Sequence, residues 1–299
     1  MRQFAVFTGI LILSGGAFAA DPGLMNLVMP DVKVLAGANV TSARISPLGQ
    51  FLLLKIGANG QLQKLTAAAG VDPLQDVTEI LAATTADVAA PGGLVLLRGT
   101  FKVDQILAHF PADRIQTNGD NKIVTVSDAK GKTQLALAFI GTTIALAGDA
   151  PAVTAALDRS TGSNAIDPKL AVQVNALAAA NDAWVVSTAG IAGLLPATGN
   201  AAQAAQMLKN VQGLSGGVKF GPAIQGQLEV VADTAKNAES LGDVARLVIS
   251  LASMNTPKDE QTAELLKLVQ TLQISTKGTA VDLALTVPEA TFEGLVGRK

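Results

Sequence analysis

The stretch from Val71 to Phe101, VDPLQDVTEILAATTADVAAPGGLVLLRGTF, limits the fold more than any other part of the chain. Val77, Glu79, Leu81 and Ala83 alternate with Thr78, Ile80, Ala82 and Thr84, which is the period of two of a β-strand. Pro91-Gly92-Gly93 breaks the chain, and Leu94 to Leu97 is an apolar run of the kind found in buried strands. Two strands joined in this way are expected to be antiparallel neighbours. The stretch builds a sheet; it does not assemble a catalytic group.

The remaining sequence alternates between strand and helix signals. A first strand is expected over 31–38, then a helix capped by Ser46 with Pro47 in its first turn, and another helical segment over 61–69. After the central hairpin, 103–110 predicts a short amphipathic helix, 123–126 and 134–139 predict strands, and 143–147 returns after a Gly141-Thr142 turn into a helix headed by Asp149. Helix 168–179 follows Asp167, and a strand is expected over 183–188. Helical pieces come next at 191–195 and 201–210, then strands at 214–220 and 224–232 around Gly221-Pro222. Long helices are predicted over 234–254 and 259–271, then strands 272–276 and 280–287 around Gly278, and a last helix after Pro288.

The order repeats. At an offset of about 137 positions, Gly141-Thr142 falls on Gly278-Thr279, Asp149 on Thr286 and Pro151 on Pro288, while 31–40 can be set against 182–191. The expected class is therefore α+β. It comprises two tandem related halves, 20–160 and 161–299, each an antiparallel sheet with helices on one face, an elaboration of the ferredoxin-like βαββαβ unit.

Residues 1–19 read as a secretory signal peptide, with Arg2 as a minimal positive region, an apolar run from Phe4 to Leu13, and Ala17-Phe18-Ala19 as the small-residue cleavage pattern. Cleavage is expected after Ala19, giving a periplasmic or secreted protein. Mean hydropathy is high, at +0.38, but after residue 20 no apolar run is long enough to span a bilayer. No cysteine is present, which excludes disulfides, thiolate metal sites and a cysteine nucleophile. A net charge of −2 without a Lys/Arg cluster, and 3% aromatic residues, give no basis for nucleic-acid binding.

Gly213-Leu214-Ser215-Gly216-Gly217 has the letters of a hydrolase G-x-S-x-G elbow. The single histidine, His109, precedes it, and the context of Ser215 is strand-like, so a glycine-rich bulge is the plainer reading. His109 itself reads as a helix-end residue near free carbonyls. Asp72, Asp76 and Glu79 form an acidic group without the ligand spacing of a calcium loop. Gly131-Lys132-Thr133 is the tail of a phosphate-binding loop without its first glycine. No cofactor or metal is expected, and no enzyme activity, with a hydrolase using Ser215 or the Asp72/Asp76 pair as the alternative.

Leu241, Val244, Val248 and Leu251 form a helical stripe, and Leu265, Leu266, Leu268, Val269 and Leu272 a wide apolar face. Leu247 and Ile249 lie outside the main stripe. Leu247, Ile249, Leu265 and Leu268 are therefore the candidate binding residues, for an envelope protein or an apolar small molecule.

The segments VDPLQDVTEILAATT, LVLLRGTF and ALAGDAPAVTAALDR resemble those of a family of bacterial exported proteins of unassigned function. The resemblance covers most of the first half and implies export and an α+β fold. The reading is an exported, non-catalytic binding or interaction protein of the cell envelope; a carrier holding an apolar ligand between helix and sheet layers is the alternative.

Overall fold

A computed structural model describes residues 20–57, 72–85, 93–127, 134–162, 166–190, 192, 208–254, 266, 268–288 and 291. The expected helical segment at 61–69, that at 191–195 except residue 192, that at 201–210 as far as residue 207, most of 259–271, and the helix after Pro288 except residue 291 lie outside the described residues, as do Leu265 and Gly131-Lys132-Thr133.

The described strands are β1 (Val34–Asn39), β2 (Val77–Thr84), β3 (Leu94–Gly99), β4 (Ile115–Asn118), β5 (Asn121–Ser127), β6 (Gln134–Ile140), β7 (Ile144–Asp149), β8 (Ala183–Ser187), β9 (Val211–Lys219), β10 (Ala223–Ala232), β11 (Gln273–Lys277) and β12 (Ala280–Pro288). They form one sheet in the order β11-β12-β10-β9-β8-β1-β2-β3-β7-β6-β5-β4. Every described neighbour pair is antiparallel. The helices are α1 (Pro22–Met25), α2 (Val40–Arg44), α3 (Pro47–Gly57), α4 (Pro73–Asp76), α5 (Val103–Leu107), α6 (Ala150–Arg159), α7 (Pro168–Ala180) and α8 (Ala235–Met254). The protein is thus α+β.

Local chemistry explains several boundaries. Ser46 Oγ accepts from the Gly49 N–H at 2.9 Å at the head of α3. Asp167 Oδ1 accepts from Lys169 and Leu170 at the head of α7. Asp149 heads α6, but its carboxylate bonds the Gly93 N–H rather than its own helix. Gly119, Gly141 and Gly278 turn their hairpins at φ of 58°, 56° and 60°, where a side chain would be strained.

On either side of the central β1–β8 pair the strands run in the same order, β1-β2-β3-β7-β6 and β8-β9-β10-β12-β11. The first series carries the extra hairpin β4–β5. The polar, four-residue β4 (IQTN) gave no signal of its own in the sequence. The antiparallel pairing of β3 with β7 and of β10 with β12 is the pairing expected of ferredoxin-like units. One detail departs from the sequence-based expectation. Pro288 closes β12 opposite Ala223 instead of entering a helix, and Thr286 lies within that strand.

Helices also cover both faces of the first-half strands. Leu81, Leu94, Leu96, Ala138 and Leu146 face α1, α6 and α7 in the largest core cluster. On the other face Ile80, Leu97, Ala145 and Phe139 pack with Val40, Leu53, Ile106 and Leu107 of α2, α3 and α5. The reason is in the strands: an apolar run such as Leu94 to Leu97 has no polar face to give to water.

At the centre of the sheet Gly37 of β1 lies opposite Trp184 of β8. A Cβ built on Gly37 would stand 2.4 Å from the indole, so the glycine makes the space that the ring fills. Trp184 is 7% exposed and belongs to the largest cluster.

Candidate functional site

Beyond the β1–β8 pair, the described residues cover only part of the face of the sheet that α2, α3 and α5 cover in the first half. Strand alternation brings Ala183 and Val185 of β8, Val218 of β9, Leu228 of β10, and Leu283 and Leu285 of β12 onto that face. Gly216 and Gly226 sit among them without side chains, and the floor sinks into a groove of about 520 Å³ that Leu272 also lines. Every side chain named here is apolar.

Helix α8 covers the neighbouring part of the same face. Ala238 and Leu241 pack against Ala232, Ile274, Val281 and Leu283, so Leu283 belongs both to the layer beneath α8 and to the groove. Gly242 allows close approach to β11: a Cβ there would lie 2.7 Å from Thr276 Oγ1. The helix does not bury all its apolar residues. Leu247 is 56% exposed and Met254 81% exposed, and Val244 is exposed as well.

Of the four residues singled out in the sequence, Leu247 is therefore a surface residue, and Ile249 is half-buried. Leu268 is half-buried, and its carbonyl accepts from both the Thr271 N–H and its hydroxyl. The sequence reading missed the groove, although the pattern of Val218, Leu228, Leu283 and Leu285 around two glycines was present in it.

The candidate hydrolase residues are not assembled. Ser215 lies in the middle of β9 opposite Val186 and Glu229, away from any strand-to-helix turn. His109 follows α5, which packs on Val124 of β5 and Phe139 of β6, and its Nδ1 donates to the Gln105 carbonyl at 2.7 Å. Five strands separate β9 from β6 in the sheet, a distance on the order of 30 Å at the usual strand spacing. Asp72 and Asp76 belong to the turn of α4, where the Asp76 carboxylate accepts the Asp72 N–H at 2.8 Å. No cluster of three or more potential metal-ligating side chains exists among the described residues.

A charged network lies at the chain's entry into the fold. Arg98 holds the Asp21 carboxylate with two bonds, at 2.7 and 2.6 Å, and the Asp21 N–H donates to Glu79 Oε1 at 3.1 Å. Burial raises the Asp21 pKa, but the Arg98 hydrogen bonds, the Leu24 and Gly23 N–H groups and the guanidinium charge outweigh it and hold the group below its ordinary value. Burial pushes Glu79 the other way, above the ordinary value, against the Asp21 N–H bond, with the Asp21 charge adding to the rise and the Arg98 charge opposing it. Burial also lowers the Arg159 pKa, opposed by Asp31 and Asp158; its guanidinium donates to the Leu27 carbonyl.

No family model matches the chain, and no curated protein does. Among solved structures, crystal form I of the protein TP0453 aligns with a TM-score of 0.51 at 10% identity, covering 93% of this chain and 97% of that one. Crystal form III of TP0453 aligns with a TM-score of 0.50 at 9% identity, covering 94% and 99%. The likeness is one of fold along nearly the whole of both chains. No helix among the described residues is long and apolar enough to cross a membrane.

Proposed function

We propose that the chain is an exported, non-catalytic binding protein of the cell envelope, and that its binding element is the groove on β8, β9, β10 and β12. The observation that carries the reading is the groove's composition: about 520 Å³ of concave surface lined by Val185, Val218, Leu228, Leu272, Leu283 and Leu285, without a charged side chain. Pockets of this size and lining suit an uncharged apolar small molecule. Water held there finds few hydrogen-bond partners, so its displacement favours an apolar occupant.

The test fills the groove. A Cβ on Gly226 meets nothing within 4 Å, so Gly226→Phe directs a ring into open space without straining the strand. The neutral fluorophore N-phenyl-1-naphthylamine should brighten with the wild-type protein and lose at least tenfold in affinity with Gly226→Phe, at an unchanged unfolding midpoint. Equal affinity in the two proteins would sink the proposal. The exposure of Leu247 and Met254 on α8 favours a second reading, an envelope protein docked on that helix.

A further inference from the structure

We propose that the amino terminus created by cleavage after Ala19 is built into the fold, the Ala20 ammonium occupying a small polar void and pairing with the carboxylate of Glu79. This rests on the export reading, which places the cut at that peptide bond.

Ala20 is 3% exposed and belongs to the largest core cluster, an unusual place for a processing junction unless the new terminus is a structural part. Beside it lies a void of about 20 Å³ whose walls include Ala20, Asn39, Glu79, Asn181, Asp182 and Trp184. That volume holds about one water-sized group, and an ammonium is of that size. The N–Cα–C–N path keeps the Ala20 nitrogen within about 3.6 Å of the Asp21 nitrogen, and the latter already donates to Glu79 Oε1 at 3.1 Å.

Among the described residues one carboxylate of this group has no cation hydrogen-bonded to it. Asp182 has the Lys219 ammonium at 3.0 Å and the Phe220 N–H at 2.7 Å. Asp21 has Arg98 and the Leu24 N–H. Glu79 is half-buried and receives the Asp21 N–H; the Arg98 charge reaches it, but the hydrogen bonds of that guanidinium go to Asp21. Partial withdrawal from water disfavours the charged form of such a carboxylate, and a directly bonded cation would offset that. In the uncleaved chain the nitrogen of residue 20 is an uncharged amide. Cleavage turns it into an ammonium beside a carboxylate that no cation hydrogen-bonds among the described residues, so maturation completes the ion pairs of the entry network.

The experiment uses the exported protein, whose first residue is fixed by intact mass. A first residue other than Ala20 would overturn the cleavage reading and this inference with it. With Ala20 first, the α-amine is labelled with acetic anhydride across pH and its modification followed by mass spectrometry. Pairing with Glu79 should raise the amine pKa about one unit above the ordinary 7.7–8.0, so labelling at pH 7 slows about tenfold. Glu79→Gln should restore the rate of a free amine. A second comparison places Gly-Ser before Ala20, which moves the charge out of the void. The extended protein should unfold at a lower temperature than the exported one, and the difference should vanish in the Glu79→Gln background. Free-amine labelling of the exported protein, or an extension effect that persists in Glu79→Gln, overturns the inference while leaving export intact.

Discussion

Replacing Gly37 with alanine should cost about 2 kcal/mol, because the single added methyl has nowhere to go. Its Cβ would lie 2.4 Å from both Cε2 and Cζ2 of Trp184 and 2.6 Å from Nε1. Carbon atoms in favourable contact stand about 3.5–4.0 Å apart, so methyl and ring must separate by about 1 Å or more. Trp184 is enclosed at 7% exposure, and β1 is hydrogen-bonded along both edges, to β2 and to β8. Overpacking of this kind costs about 1–3 kcal/mol, and with both partners held we place it at the upper end. Alanine returns roughly 0.5–1 kcal/mol relative to glycine in a strand, which leaves the net figure. Urea unfolding is the assay. Trp184 is the sole tryptophan, so its emission reports the perturbed contact, and far-ultraviolet circular dichroism reports the sheet. Trp184→Leu removes the opposing atoms, so the double variant should be more stable than the sum of the singles by about 1 kcal/mol or more. A Gly37→Ala protein within about 0.5 kcal/mol of wild type, or strict additivity of the pair, would refute the argument.

Asp167→Ala removes the acceptor of two α7 N–H groups and should lower stability by about 1 kcal/mol in thermal unfolding. Asp21, held below its ordinary pKa, contributes stability that is complete above about pH 4 and is lost as pH falls through its lowered folded value. Arg98→Gln should flatten that acid limb of a stability–pH curve. Glu79 is raised and acts with the opposite sign: in a chain extended before Ala20, stability should decline as pH rises through the raised folded value, and Glu79→Gln should remove the slope. Leu247→Asp alters a residue 56% exposed. It should leave the unfolding midpoint within a degree or two while abolishing recovery of an envelope partner docked on α8; a large loss of stability would show that Leu247 is core.

Much of the fold was legible because its signals are local. Val77 to Thr84 alternates, Gly141 and Gly278 occupy positive-φ turns, and Asp167 precedes a helix that it caps, so each element could be read within a dozen residues. Which strand meets which across the sheet was not legible. Nothing near Leu35 indicates that its neighbours are Ala83 on one side and Val186 on the other. Gly37 and Trp184 were unremarkable until the pairing set them face to face. The groove escaped for the same reason, since Leu228 and Leu285 share a face only once β9, β10 and β12 are in register. Helices were expected on one face, yet the unbroken apolar run of β3 already required cover on both.

The β1–β8 pair also sets an order in time. Ala38 meets Ala183, so β1 must wait until the rest of the first half and α7 have been made, on the order of ten seconds at ordinary rates of chain synthesis. During that interval its outer edge is an open row of backbone donors and acceptors, the kind of template that recruits strands from other chains. Contacts so distant in sequence also close slowly once both strands exist. The joint that makes one sheet of two strand series is thus the point at which an unfinished copy of the chain is most exposed to aggregation.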